Sequence, residues 1–168
     1  AAYSVPTCHA YDPAFAYEIA ILVREGMKKM YTEQQDIFFY LTLCNENYPQ
    51  APAPDLYTRE QLVDAVLKGI HLSRKAELDA GSKRVNLLAS GPMMPQALRA
   101  AQELEQTYGV AADIWSVSSW QQLYRDGIDT ERLNLLQPNQ EPKQPYLTRV
   151  LEKAPSQVFV TSTDYMKV

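Results

Sequence analysis

The sequence predicts an α/β fold with mostly parallel sheets and flanking helices, built in two parts, and three stretches carry that expectation. Residues 37–44, IFFYLTLC, are rich in aromatic and branched side chains without polar alternation, the pattern of a strand buried on both faces of a parallel sheet. Residues 13–31 repeat apolar side chains at helical spacing. Residues 85–117 read strand, helix, strand with short connections, which match a right-handed crossover between parallel strands.

Taken in order, Asp12-Pro13 has the form of a helix start, an N-cap acceptor followed by proline at the first helical position. Phe15, Ile19, Leu22, Val23, Met27 and Met30 then supply the apolar stripe of a helix over residues 13–31. After the 37–44 strand, Pro49, Pro52 and Pro54 make a stiff extended connector. Thr58 to Gln61 form a capping box, with Leu62, Val66 and Ile70 on the apolar face of the helix that follows. The polar run SRKAELDAGSKR reads as the boundary between the two parts, residues 1–80 and 81–168.

In the second part a strand is expected over 85–89 and a helix from near Pro92 or Pro95 to Tyr108, with Ala97, Leu98, Ala101 and Leu104 as its stripe. Gly109 is the stop signal before a strand over 113–117. Ser118 with Gln121 can cap a short helix over 120–125 that ends at Gly127. A helix around 146–152 and a strand over 158–161 follow. No internal repeat is visible.

Composition narrows the function. With 168 residues, 46% hydrophobic and 21% charged, the chain has the makeup of an ordinary globular protein. A net charge of −4 with both signs interspersed leaves no basic stripe for nucleic acid; Lys28-Lys29 and Lys83-Arg84 read as solvated helix and strand ends. No apolar stretch approaches the ~20 residues that span a bilayer and no signal peptide opens the chain, so neither membrane nor export is expected and the cytoplasm is. Cys8 and Cys44 suit a reducing compartment, where buried thiols act as small hydrophobes, and His9 and His71 stand at no metal-ligand spacing with them or each other. Cys8 and His9 do not make a nucleophile and base, because neighbours along an extended chain point to opposite faces.

Three stretches could carry function. Ser90-Gly91 stands between a strand and a helix, but a single glycine flanked by Pro92 and Pro95 reads as an ordinary turn rather than an anion cradle. Trp115 and Trp120 lie near a strand's carboxyl end and read as packing residues. Asn45, Glu46, Asn47 and Tyr48 follow the 37–44 strand at the end where parallel sheets keep their sites. Two uses compete for them, a functional crevice and amides that satisfy the backbone of the proline-rich connector.

The stretches PTCHAYDPAFAYEIAILVREGMKKMY, FFYLTLCNENY, WSVSSWQQLYRDG, EPKQPYLTRVLE and TSTDYMK resemble, in order and spacing, the homodimeric bacterial pyruvate dehydrogenase first component, a thiamine-diphosphate enzyme. The resemblance covers essentially the whole chain. It implies the end of a pyrimidine-binding domain followed by much of a transketolase-like C-terminal domain. In the full-length enzyme it implies thiamine diphosphate and magnesium, pyruvate as substrate, a homodimer, and transfer of acetyl to the lipoyl arm of an acyltransferase partner. The family's GDG diphosphate motif is nowhere in these residues. No catalytic, cofactor-binding or metal residue is therefore carried over, and an inactive fragment that binds no cofactor alone is expected. Asn45, Glu46, Asn47 and Tyr48 are then candidates for a domain boundary or subunit interface. The rival readings are a self-contained binding or dimerisation module, or part of another ketoacid dehydrogenase or transketolase.

Overall fold

A computed structural model of the protein describes residues 4–77 and 82–165. The chain is a mixed α/β structure with two sheets, mostly parallel, and helices packed against them. Strand β1, Cys8–Tyr11, pairs in parallel with β2, Phe38–Leu41, and helix α1, Ala16–Met27, connects them through a π-helical turn at Lys28–Thr32. Helix α2, Arg59–Lys68, opens with the expected capping box: Thr58 Oγ1 accepts from the Gln61 backbone N–H, and the Gln61 side chain accepts from that of Thr58. It closes at Gly69, whose φ of 107° is left-handed.

The second sheet has the order β3-β5-β4-β6. Strand β3, His71–Arg74, is an antiparallel edge on β5, Ala111–Ser116; β4, Arg84–Ala89, pairs in parallel with β5 on one side and with β6, Phe159–Ser162, on the other. Side chains alternate across it with the period of a strand. Val85, Leu87, Ala89, Ala112 and Ile114 face helix α3, Met94–Tyr108, whose Met94, Ala97 and Ala101 cover them. Leu88, Trp115 and Val117 face the other way and pack with Leu123 of α4, Trp120–Leu136, and with α5, Tyr146–Leu151. Trp115 and Trp120 are thus packing residues, as expected. The boundary expected at residues 80/81 lies outside the described residues.

Several local expectations are corrected. Helix α1 begins at Ala16 with Phe15 at the N-cap, not at Asp12-Pro13, because the Glu18 carboxylate takes the Ala14 and Phe15 N–H groups. Its buried face runs through Phe15, Glu18, Leu22 and Gly26, while Val23 and Met27 are exposed. Strand β2 is not buried on both faces: Phe38 is 46% and Tyr40 52% exposed, since among the described residues the strand pairs only with β1 and is covered on one side. Helix α4 is capped one residue later than expected, at Ser119, and runs straight through Gly127 to Leu136. Cys44 is exposed, not buried. Arg84 is not a solvated strand end either: its guanidinium lies 2.8 Å from the buried Asp113 carboxylate.

Candidate functional site

Parallel strands deliver their carboxyl ends to one side of a sheet, and here both sheets deliver them to the same place. Asp12 follows β1, Thr42 to Cys44 follow β2, Ser90 and Pro92 follow β4, and Asp164 and Tyr165 follow β6; together they line a cleft of about 370 Å³. Backbone bonds tie this junction together. The Asp12 N–H donates to the Ser118 carbonyl at 2.7 Å, and the Asp12 carbonyl accepts from Gly91 N–H at 3.1 Å. Gly91 makes that turn with a φ of 45°, a left-handed conformation open to glycine. The Ser90-Gly91 turn is the ordinary strand-to-helix turn expected, with Trp120 Nε1 donating to Ser90 Oγ at 3.1 Å.

The Asp12 carboxylate is where two of the cleft's hydroxyls meet. Thr42 Oγ1 donates to it, and the Tyr165 hydroxyl lies 2.9 Å from both of its oxygens. Burial pushes the Asp12 carboxyl above its ordinary value, against the pull of those two donors, and Asp164 adds to the upward shift. The cleft therefore offers oxygen acceptors and hydroxyls, suited to gripping a donor-bearing group. It holds no lysine or arginine among the described residues.

Beneath Asp12 lies a buried polar cluster that locks the first sheet's helix to the second sheet. Glu18 of α1 accepts from Ala14 N–H at 2.5 Å and Phe15 N–H at 3.1 Å, and from Ser116 Oγ of β5 at 2.5 Å. His71 of β3 sits 2.8 Å from the Tyr17 hydroxyl and 3.5 Å from Glu18. Burial raises the Glu18 carboxyl and lowers the His71 imidazole to about 4, so both shifts favour neutral forms and the longer contact is not an ion pair of charged partners. Holding Ala14 and Phe15 fixes the turn that carries Asp12.

Of the residues singled out in the sequence, Asn45, Glu46 and Asn47 are exposed beside the cleft's Cys44. Tyr48 is the one that reaches back: its hydroxyl donates to the Ala14 carbonyl, and Gln50 Oε1 accepts from Ala16 N–H at 2.9 Å. The connector is thereby pinned to the start of α1. Sequence reasoning missed Asp12, Glu18, His71 and Tyr165. A signal existed for Glu18, a carboxylate on the same stripe as Phe15 and Leu22.

Comparison with known proteins follows the same order along the chain. Residues 1–51 match the pyruvate dehydrogenase E1 component middle domain, and residues 69–168 match the transketolase-like TK C-terminal domain. The chain belongs to the transketolase-like C-terminal domain family. The pyruvate dehydrogenase E1 component of Pseudomonas aeruginosa is 41% identical over 165 residues, covering 98% of this chain, and that of Mycobacterium tuberculosis is 45% identical over 163 residues, covering 96%. The chain spans 18% and 17% of the length of these relatives. Crystal structures of two transketolase variants from Pichia stipitis share the fold, with TM-scores of 0.58 and 0.56 over 96% and 94% of this chain at 16% and 17% identity, covering 19% and 18% of those chains.

Proposed function

We propose that the chain is a segment of the thiamine-diphosphate-dependent decarboxylating component of a pyruvate dehydrogenase complex. In the whole enzyme, pyruvate is decarboxylated and the acetyl group passes to the lipoyl group of an acyltransferase, in a cytoplasmic homodimer that also requires magnesium. The observation that carries this reading is the serial match: a middle-domain segment followed by a C-terminal-domain segment, with relatives named pyruvate dehydrogenase E1 component 41% and 45% identical across almost the entire chain. Among the described residues no helix is long and apolar enough to cross a membrane.

In this reading the chain by itself is expected to hold neither thiamine diphosphate nor magnesium. Among the described residues no three His, Cys, Asp or Glu side chains stand together to hold a metal, and the cleft presents Asp12 and Asp164, which would repel a diphosphate. No step of cofactor chemistry is assigned to these residues. The role proposed for them is structural: the part before residue 81 passes to the C-terminal domain through a connector that Tyr48 and Gln50 pin to α1.

Calorimetric titration of the chain with thiamine diphosphate and magnesium is expected to give no saturable heat, while the whole enzyme carrying it releases carbon dioxide from pyruvate. Pyruvate decarboxylation by the 168-residue chain itself would overturn the structural role. A whole enzyme that turns over ketose phosphates and not pyruvate would overturn the assignment. The proposed division at residues 80/81 is tested by limited proteolysis, with first cuts expected at 48–57 or 73–83 and early cleavage within 85–117 counting against it.

A further inference from the structure

On the face of the second sheet that Trp115 shares with α5, a cavity of about 320 Å³ opens between β3, β5, the end of α5 and the connector that carries Tyr57. None of its residues lines the Asp12 cleft. Its walls are mostly apolar: Leu72 of β3, Trp115 of β5, Val150 of α5 and Ala154 just after it, with the Tyr57 ring from the connector. Both rings are held by polar atoms at their edges. Trp115 Nε1 donates to Asn86 Oδ1 at 3.0 Å, and the Tyr57 hydroxyl oxygen accepts the Leu72 N–H at 2.8 Å. What these walls offer is apolar surface around a space that suits a small ligand.

Charge in the lining is one-sided. Asp113 is buried and already satisfied: Arg84 Nη1 lies 2.8 and 2.9 Å from its two oxygens, and the Ala76 N–H donates to one of them at 2.8 Å. Lys75, just after β3, and Lys153, just after α5, line the same cavity and are exposed, so they stand at its open side. Among the described residues neither ammonium has a carboxylate partner. The Arg84 and Asp113 charges cancel, which leaves the two lysines as the net charge the cavity presents. An apolar chamber with unpaired positive charge at its mouth is complementary to a molecule with an apolar body and one anionic head. The body gains by leaving water, and the head meets the lysines while it remains solvated.

We propose that this cavity binds a small carboxylate with an apolar body, the body against Trp115, Tyr57 and Leu72 and the carboxylate at Lys75 and Lys153. The proposal is independent of the pyruvate dehydrogenase assignment, since pyruvate has no such body.

The test is an NMR titration of the isotopically labelled 168-residue chain at constant ionic strength. The probes are 3-phenylpropionate, which has body and head, 3-phenylpropanol, which keeps the body without the charge, and acetate, which keeps the charge without the body. Saturable shifts of the Trp115 indole N–H and of the backbone at 72–75 and 150–154 are expected with phenylpropionate, with binding at least about tenfold weaker for each of the other two. Replacing both lysines, Lys75→Gln with Lys153→Gln, should weaken phenylpropionate about tenfold and leave phenylpropanol unchanged. The control Lys143→Gln, outside the cavity, should change neither. Ala154→Leu, which fills the cavity, should abolish saturation by both. Phenylpropionate shifts that stay linear, phenylpropanol that binds as tightly as phenylpropionate, or saturation undiminished in the double-lysine variant or in Ala154→Leu would overturn the site.

Discussion

Glu18 and His71 share one buried cluster, and their titrations pull stability in opposite directions. The His71 imidazole is held down to about 4 by burial, against an ordinary value of 6.5. Between those values the unfolded chain binds a proton that the folded chain refuses, so this residue's contribution is complete above pH 6.5 and is lost as pH falls toward 4. The scale is on the order of 3 kcal/mol. Glu18, raised by burial, does the reverse: the folded chain keeps a proton that the unfolded chain has released, so its contribution declines as pH rises above its ordinary 4.5. Urea unfolding of His71→Gln between pH 4.5 and 7 should therefore show a flatter rise with pH than the parent, and Glu18→Gln a steeper one. An unchanged slope in His71→Gln would mean that the ring is not buried as the Tyr17 contact implies. Glu18→Ala leaves two backbone N–H groups and the Ser116 hydroxyl without their acceptor, and should cost roughly 3–5 kcal/mol at neutral pH.

At the scale of elements, the glycines separate turn chemistry from mere tolerance. Gly69 ends α2 at a φ of 107°, and a Cβ there would stand 2.5 Å from the Ser119 carbonyl oxygen, on the backbone that caps α4. Neither the dihedral nor the space admits a side chain. Gly127 lies inside α4 with open space where its Cβ would be, so nothing in the chain compensates the helix-interior penalty of roughly 1 kcal/mol. Thermal denaturation should show Gly127→Ala gaining about 0.5–1 kcal/mol and Gly69→Ala losing about 1–3 kcal/mol or more. A neutral Gly69→Ala would indicate that α2 and α4 part at this point. Gly127 read as a helix stop because glycine is the usual C-terminal residue. What ends a helix is the left-handed turn, which Gly109 makes after α3 and which is not among the backbone features of Gly127.

For the whole molecule, the two sheets share the segment from Asp12 to Glu18, and Tyr48 and Gln50 bring the connector back onto it. Asn45, Glu46 and Asn47 are left exposed on that connector. Their proposed place is a boundary between domains or subunits of the whole enzyme. There, Glu46→Ala should weaken assembly, by up to about 3–5 kcal/mol if its partner becomes buried and by no more than about 1 if the pair stays exposed. Sedimentation and turnover measured side by side for Glu46→Ala and Asn45→Ala distinguish the roles. A drop in turnover on the ~10²–10⁴ scale of acid-base catalysis with the dimer intact would move Glu46 into the active site.

Local chemistry made much of this legible from the sequence. The Thr58 capping box, the Gly109 stop and the β4-α3-β5 unit follow from side-chain period and backbone preference within a few residues, and each stands in the structure where it was expected. The sequence alone also identified the resemblance to a pyruvate dehydrogenase first component, because its quoted stretches keep their order and spacing. The tertiary structure decided which face of α1 is buried, since Glu18 meets Ser116 from 98 positions away. It decided that Arg84 pairs with Asp113 across neighbouring strands, and that Asp12 accepts a hydroxyl from Tyr165, 153 positions on. Periodicity records only that a stripe is apolar. A buried carboxylate becomes tolerable, and a strand end becomes part of a cleft, only through donors that distant segments bring to it.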